Sequence, residues 1–309
     1  MRLLASKLDA RLPHESPLAL LLAQPQISQH RSTIYTNMEA EMIDTAPLHT
    51  SFLDTLPQLS ASAQPTLFID LEGNNLSRHG TLSLITILVE PRHTIHLIDV
   101  HSLREQAFAV ASTTGTTLKT ILESVVIAKV FFDVRHDSDA LYSLYGVSVG
   151  GIEDLQLMEL ASRTGDKSAV SSLSKCIERD AAISTAEKQA WKAIKEEGKA
   201  LFDRARGGSY ALFDQRPLAP RVERYAVQDV LHMPSLYEKY DGMLTEEWRG
   251  KVQLETLARI ALSQSAGFRD GKHLGKGPRA WNPDMPERKR GRGRGRGRGK
   301  GRTSRSTRQ

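Results

Sequence analysis

The sequence has few of the features that mark secreted or membrane-bound proteins. Cys176 is its single cysteine, so neither a disulfide nor a cysteine-based zinc site can form within one chain, and we expect it to be a small buried side chain. No apolar run approaches the ~20 residues that a membrane-spanning helix needs. The apolar run at residues 17–23 is too short for the core of a signal peptide. We therefore expect a nuclear or cytoplasmic protein that is not secreted.

Acidic residues are missing from the last part of the chain. Residues 288–309 hold 11 of the 42 Lys and Arg residues and no Asp or Glu, and Gly alternates with Arg or Lys over residues 290–302. The other 287 residues hold 31 basic and 36 acidic side chains, a net charge of −5. A mildly acidic body thus carries a basic tail that attracts polyanions. Arg side chains also stack on unpaired bases, which favours RNA as the partner, with a solubility or nuclear import segment as the alternative.

Changes of composition divide the chain into four segments. Residues 1–43 show no steady period and are expected to be disordered or loosely attached, with Met1 and Met38 both open as translation starts. Residues 44–245 alternate strand-like and helical patterns, and residues 246–270 continue as a helix. Residues 271–309 form the tail, which we expect to be disordered. The strand-like runs lie at residues 66–71, 81–90, 94–100 and 128–134, with a short apolar stretch near Ile152.

The first strand-like run ends in two carboxylates one residue apart, Asp70 and Glu72. Alternate residues of a strand point to the same face, so both acids leave a buried strand side by side. Two like charges so close repel, and one tends to take up a proton unless a cation lies between them. The pair therefore indicates a site for a divalent metal ion.

Further acids lie at two later places in the chain. A predicted helix begins near Asp137 and Asp139, and either acid could cap that helix. Tyr225 and Asp229 are four residues apart on another predicted helix and so share one face of it. Asp229 adjoins the apolar stripe of that helix, where an acid needs a partner.

In this order, these motifs resemble those of the DEDD-type 3′–5′ exonucleases of the tyrosine subclass (DEDDy). The chain resembles the ribonuclease D, Werner exonuclease and Egalitarian-like branch, over about residues 44–245. The resemblance implies an α/β fold of the ribonuclease H-like superfamily, a mixed five-stranded sheet flanked by helices, with a helical C-terminal part. It assigns Asp70 and Glu72 to the first motif, Asp137 to the second, with Asp139 as the rival, and Tyr225 and Asp229 to the third.

The resemblance also implies a reaction. Asp70, Glu72, Asp137 and Asp229 would hold two Mg²⁺ or Mn²⁺ ions, and Tyr225 would position or help to deprotonate the attacking water. The product would be nucleoside 5′-monophosphates released from a 3′ end, with RNA favoured over DNA. One alternative is a weakly active or inactive RNA-binding adaptor on the same fold, and another is a metal-dependent phosphatase or other hydrolase. Asp154 resembles a family segment that gives structural support.

A helix with many lysines is predicted after residue 183. Ser184 and Glu187 have the spacing of a capping box at its start. Four lysines recur on one face of this helix: Lys188, Lys192, Lys195 and Lys199. They form either a solvated charged face or a stripe that contacts a nucleic acid backbone.

Overall fold

A computed structural model describes residues 40–56, 66–269 and 271–282 of the chain. Its centre is a six-stranded sheet. The strands are β1 (Ala40–Ile43), β2 (Leu67–Glu72), β3 (Leu84–Val89), β4 (Thr94–Ile98), β5 (Lys129–Phe131) and β6 (Ile152–Asp154). They lie in the order β1-β4-β3-β2-β5-β6. β3 is antiparallel to both of its neighbours, and the other pairs are parallel, so the sheet is mixed.

Helices connect the strands and continue beyond them. Those before the last strand are α1 (Ala46–Asp54), α2 (Val100–Leu103), α3 (Gln106–Ala109), α4 (Leu118–Glu123) and α5 (Arg135–Tyr145). The later ones are α6 (Leu155–Ser162), α7 (Leu173–Asp180), α8 (Thr185–Phe202), α9 (Pro220–Leu231), α10 (Met233–Met243) and α11 (Glu246–Gln264). Short 3₁₀ helices cover Arg204–Arg206, Tyr210–Asp214, Lys272–Gly275 and Arg279–Trp281.

The sheet separates two apolar cores. All six residues of β3 are buried, as expected for a strand that is covered on both faces. Leu67 and Ile69 of β2 pack into the core with the early helices, whereas Phe68 packs into the core with α7, α9 and α10. Phe68 makes an edge-to-face contact with Tyr237 of α10, 6.1 Å between ring centroids. Because side chains alternate along a strand, the even-numbered residues of β2 face the C-terminal helices.

The predicted fold class is confirmed, but folded structure begins earlier than expected and the sheet has one strand more than the five predicted. β1 lies in residues 1–43, the segment expected to be disordered or loosely attached, yet Ile43 is fully buried and the strand pairs in parallel with β4. Its four residues carry too little pattern to show a strand. Residues 1–39 lie outside the described part of the chain.

The segment that follows residue 270 is also more ordered than predicted. The backbone N–H of Gly277 donates to the carbonyl of Ser168 at 2.8 Å, and that of Val170 donates to the carbonyl of Gly275 at 3.2 Å. Trp281 packs edge-on against Trp248 of α11, 5.3 Å between ring centroids. Non-local backbone bonds and this aromatic contact therefore fix residues 271–282, which were expected to belong to a disordered tail. The Arg-Gly repeats lie outside the described residues.

Two smaller expectations are confirmed. Cys176 is a fully buried thiol on α7, and burial raises its pKa to about 11, so it is inert as a nucleophile. Ser184 and Glu187 form the predicted capping box, in which each side chain accepts a hydrogen bond from the other residue's backbone N–H. Within the described ranges, no helix is both long enough and apolar enough to cross a bilayer.

Candidate active site

Two acidic side chains leave the end of β2 on one face of the sheet. Asp70 and Glu72 alternate with the buried residues Ile69 and Leu71, which face the opposite core. Antiparallel pairing with β3 sets Asp70 opposite Thr86 and so fixes this end of the strand. The pairing holds the two carboxylates side by side, toward the C-terminal helices.

The third acid comes from α9, far away in sequence. Val222 and Ala226 are fully buried in the core beneath the helix, which lays α9 across β2 and turns Asp229 toward the sheet. One carboxylate oxygen each from Asp70, Glu72 and Asp229 lie within 4.8 Å of one another. The sequence motifs at the two ends of the domain therefore meet at one point.

Asp139, at the start of α5, is already engaged by a cation. Its side chain is 2% exposed, and it accepts hydrogen bonds from the backbone N–H of Arg78 at 2.9 Å and from Nε at 2.7 Å. Arg78 also donates from Nη2 to the carbonyls of Ser263 and Ser265, at 2.7 and 2.9 Å. Asp139 thus links the loop after β2 to α5, while Arg78 ties that loop to the end of α11.

Asp137, two residues earlier, belongs electrostatically to the acidic cluster. Asp137 is buried, and its pKa lies well above the usual range. Burial is the main cause, and the negative charge of Asp133 is the second. The charge of Asp137 in turn raises the pKa of both Asp70 and Glu72. Asp137 lies outside the group of three with oxygens within 4.8 Å, and its effect on Asp70 and Glu72 is electrostatic.

Burial and mutual repulsion dominate the electrostatics of the cluster. Burial raises the pKa of Asp70 most, followed by the charges of Asp229, Glu72 and Asp137. The pKa of Glu72 rises to about 8, again through burial first and the charge of Asp229 second. The positive charge of Lys195 opposes both shifts. Acids whose pKa is raised in this way bind a proton or a metal cation more readily than free acids do, so the cluster has the electrostatics of a cation site.

Tyr225 lies one helical turn before Asp229 and is held in place by α8. A Cβ added at Gly198 would lie 2.0 Å from Cδ2 of Tyr225, so only glycine allows the two helices to approach this closely. Phe202 meets the Tyr225 ring edge-on at 5.1 Å between centroids. Burial, followed by the charge of Asp229, raises the pKa of Tyr225 far above its usual value, so its hydroxyl stays protonated.

The sequence motifs did not reveal that Lys195 belongs to this site. Its ammonium Nζ lies 2.5 Å from Oδ2 of Asp229 and 3.3 Å from the centroid of the Tyr225 ring. In the sequence, Lys195 shares a helical face with Lys188, Lys192 and Lys199, so nothing marked it as different from them. A better signal was the 4-3-4 spacing of Trp191, Lys195, Gly198 and Phe202, the four buried residues that form the inner face of α8.

A family model described as 3′-5′ exonuclease matches residues 41–245, which is more than half of the chain. The chain belongs to this exonuclease family. The match spans all four motif acids and Tyr225, and it begins within β1.

Two curated relatives are similar to this chain over a shorter stretch. The piRNA biogenesis protein EXD1 of Mus musculus and that of Homo sapiens are each 31% identical to it over 102 residues. The aligned stretch is 33% of this chain and 16% of the mouse protein. The chain therefore spans about one sixth of the length of that relative.

Solved structures match the chain over most of its length. The complex of Trypanosoma brucei RNase D with RNA U12 has a TM-score of 0.64 at 19% identity and covers 82% of this chain and 81% of that chain. The catalytic core of RRP6 from Trypanosoma brucei has a TM-score of 0.51 at 17% identity and covers 74% of this chain and 53% of that chain. At such identities the likeness shows the fold. With the family match, it confirms the predicted DEDD-type domain and its ribonuclease H-like sheet.

A buried ionic network lies at the start of the helix that carries Asp137, where the backbone N–H groups of Asp133 and Val134 donate to the Asp154 carboxylate. Asp154 is fully buried, caps α6 by accepting from the backbone N–H groups of Gln156 and Leu157, and accepts from Nη1 of Arg259 at 2.8 Å. Asp133 has a left-handed backbone, φ 66°, where the chain turns from β5 into α5. Asp154 thus has the supporting role that the resemblance implied, because its oxygens bind the backbone and Arg259.

The segment between α8 and α9 is tied to Ser83, just before β3, and to Asp99, just after β4. Arg216 donates from Nε to Oδ2 of Asp99 at 2.5 Å. Ser83, whose backbone N–H donates to the carbonyl of Glu72 at 2.9 Å, donates its hydroxyl to Oδ1 of Asp214 at 2.5 Å. These bonds hold the 3₁₀ helix Tyr210–Asp214 and the residues before α9 against the sheet. They therefore help to position α9, which carries Asp229.

Proposed function

We propose that this protein is a metal-dependent 3′–5′ exonuclease that shortens RNA and releases nucleoside 5′-monophosphates. The observation that carries the proposal is the meeting of Asp70, Glu72 and Asp229 within 4.8 Å, next to Tyr225. Family membership supports the nuclease reaction, and the site supports its dependence on metal ions.

The donor set suits hard divalent cations. Carboxylate oxygens are the ligands that Mg²⁺ and Mn²⁺ prefer, and Asp70, Glu72, Asp137 and Asp229 would hold two such ions. The hydroxyl of Thr86, directly across from Asp70 in the strand pairing, is buried and makes no hydrogen bond within the described residues. A buried hydroxyl without a hydrogen-bond partner, next to clustered acids, is consistent with a site that also holds metal ions and their bound water. Bound ions would activate water and stabilise the leaving oxygen in an in-line displacement.

Tyr225 would orient the attacking water rather than take its proton. Because its pKa is raised, the phenol is neutral at physiological pH and is therefore a poor base. Gly198 and Phe202 hold its ring, so the hydroxyl is fixed before substrate binds. In the reaction a water oxygen bonds to the terminal phosphorus, the P–O3′ bond breaks, and the released 3′ oxygen takes up a proton. The products are a nucleoside 5′-monophosphate and a chain with a new 3′ hydroxyl.

RNA is the substrate we favour. The curated relatives carry piRNA in their names, and one of the matching structures is an RNase D bound to RNA. The basic repeats of residues 290–302 add a polyanion-binding segment that suits single strands. DNA is the competing substrate, and the same assay must include it.

The second candidate is an RNA-binding adaptor that does not cleave. The ion pair between Lys195 and Asp229 favours it, because an ammonium that stays on this carboxylate occupies an oxygen that a metal ion needs. The four acids favour the enzyme, because an adaptor has no use for buried repelling carboxylates.

Matched RNA and DNA oligonucleotides of the same sequence, labelled on the 3′-terminal nucleotide, separate these candidates. With Mn²⁺ we expect the label to leave the RNA as a nucleoside 5′-monophosphate, faster than from DNA. Release of inorganic phosphate from a 3′-phosphorylated strand would instead indicate a phosphatase. Tight RNA binding without any release of label would favour the adaptor.

A further inference from the structure

A buried cation lies inside the acidic cluster. Lys195 has a side chain that is 8% exposed, and its Nζ lies between a carboxylate oxygen of Asp229 at 2.5 Å and the ring face of Tyr225, 3.3 Å from the centroid. A buried ammonium is costly unless it is paired, and both contacts attract a positive charge. Lys195 is therefore held at a defined position by these two contacts, unlike a lysine on the surface.

The packing of α8 on α9 aims Lys195 at this point. Gly198, one turn later on α8, lets the helix approach the Tyr225 ring. Trp191, one turn earlier, donates from Nε1 to the carbonyl of Gln228 at 3.4 Å. With α8 anchored on both sides of it, the lysine stem reaches Asp229 along the helix interface.

The other lysines of α8 are engaged elsewhere. Lys188 donates to the carbonyl of Glu178 at 3.0 Å. Lys192, with a side chain that is 62% exposed, lies 3.6 Å from a carboxylate oxygen of the same glutamate, and Lys199 pairs with Glu196 at 2.9 Å. Lys195 alone among these four turns inward, and its charge stabilises the ionised forms of Asp70 and Glu72.

We propose that Lys195 is a built-in counterion that occupies part of the acidic cluster in the metal-free protein and leaves Asp229 when metal ions bind. This inference rests on the proposed metal-dependent function. Four carboxylates match the charge of two divalent ions, so a fifth positive charge in contact with Asp229 repels the incoming ions. Lys195 thereby lowers the affinity for metal and, in the metal-free protein, partly neutralises Asp70, Glu72 and Asp229.

The test compares Mn²⁺ binding by full-length variants, measured by calorimetry without substrate. Lys195→Met keeps the length of the aliphatic stem and removes the charge, and we expect it to bind Mn²⁺ at least about tenfold more tightly than the parent, which corresponds to about 1.4 kcal/mol. Lys195→Arg keeps the charge and should bind like the parent. Lys192→Met makes the same change at an exposed position of the same helix and should also bind like the parent.

Melting temperatures give a second readout. Without metal, Lys195→Met should melt below the parent, because three carboxylates lose their counterion, and saturating Mn²⁺ should raise its melting temperature by more than it raises that of the parent. A packing defect alone would lower the melting temperature of Lys195→Met by the same amount with and without Mn²⁺. Mn²⁺ affinity of Lys195→Met equal to or weaker than that of a parent that binds Mn²⁺ and degrades RNA would overturn the inference while leaving the proposed function intact.

The unmutated protein offers an independent check if Lys195→Met does not fold. Limited acetylation followed by mass spectrometry reports how accessible each lysine is. Saturating Mn²⁺ should increase acetylation of Lys195 several-fold relative to Lys192. Equal protection of Lys195 with and without bound Mn²⁺ would contradict its displacement. A parent that binds no Mn²⁺ and leaves RNA intact would instead refute the proposed function.

Discussion

Gly198 of α8 and Tyr225 of α9 touch so closely that no side chain fits between them. A Cβ at Gly198 would lie 2.0 Å from Cδ2, 2.8 Å from Cγ and 2.9 Å from Cε2 of the tyrosine. The contact sets the distance between two helices that together bring Tyr225, Asp229 and Lys195 to the site. The geometry of the acidic cluster therefore depends on a glycine that carries no chemistry.

Gly198→Ala should consequently damage the site although alanine favours helices. The added methyl group must displace the Tyr225 ring or separate the helices, and overpacking of this kind costs about 2 kcal/mol. We expect a lower melting temperature and a reduced kcat for nuclease activity. Gly250→Ala is the matched control, because Gly250 lies inside α11 with nothing within 4 Å of an added Cβ. That variant should be as stable as the parent or more stable, and equal effects of the two substitutions would refute the packing explanation.

The two acids of α5 should separate activity from stability. Asp137→Asn removes a buried charge that repels its neighbours, so activity should fall by about 100-fold or more while stability holds or rises. Asp139→Asn breaks the pair with Arg78 and should cost about 2 kcal/mol of stability, with a much smaller loss of activity in the folded fraction. Urea unfolding and single-turnover cleavage of the same preparations measure both. The reverse pattern would make Asp139 the metal ligand of the second motif.

The stability of the metal-free protein should fall as the pH rises. Glu72 has a pKa of about 8 in the folded protein, above its ordinary value of 4.5, so it takes up a proton on folding between these values. Its contribution is present in full below the unfolded pKa and is lost as the pH rises through the folded one. Melting temperatures in EDTA across this range should decline for the parent. Glu72→Gln should flatten the decline, whereas parallel curves for the two proteins would show that Glu72 titrates normally.

Removal of residues 288–309 should weaken RNA binding in a salt-dependent way. The truncation deletes 11 positive charges and leaves 287 residues with a net charge of −5. Fewer counterions are then released when RNA binds. The slope of a plot of the logarithm of the RNA-binding constant against the logarithm of the salt concentration should therefore become shallower by several units. Fluorescence anisotropy with a single-stranded RNA at several salt concentrations gives the slope. The rate of cleavage of bound RNA should not change, and an unchanged slope would exclude the tail from binding.

Much of the fold followed from local pattern, and the exceptions were short or non-local. Asp70 and Glu72 were placed side by side correctly, because the two-residue period of a buried strand fixes the face of every side chain. β1 escaped notice because its four residues are stabilised by pairing with residues of β4 that lie 55 positions later in the chain. Residues 271–282 were missed for the same reason, since their hydrogen bonds go to residues 168 and 170.

The sequence predicted the acids that the structure brings together, Asp70, Glu72 and Asp229, but it did not predict the cation beside them. The acids could be found because each motif ties a residue type to a defined position on a strand or helix. Nothing local separates Lys195 from Lys192, and only the packing of α8 on α9 decides which of them turns inward. The contact between Asp139 and Arg78 was likewise hidden, because the loop after β2 brings Arg78 to Asp139 from 61 residues away.

The most direct test of the central claim is cleavage of a 5′-labelled single-stranded RNA by the purified full-length protein with Mn²⁺, next to the Asp70→Asn variant. The site predicts a ladder of products shortened from the 3′ end, which appears with the parent and is lost with EDTA or in the variant. Intact RNA under all conditions, or an identical ladder from Asp70→Asn, would contradict it.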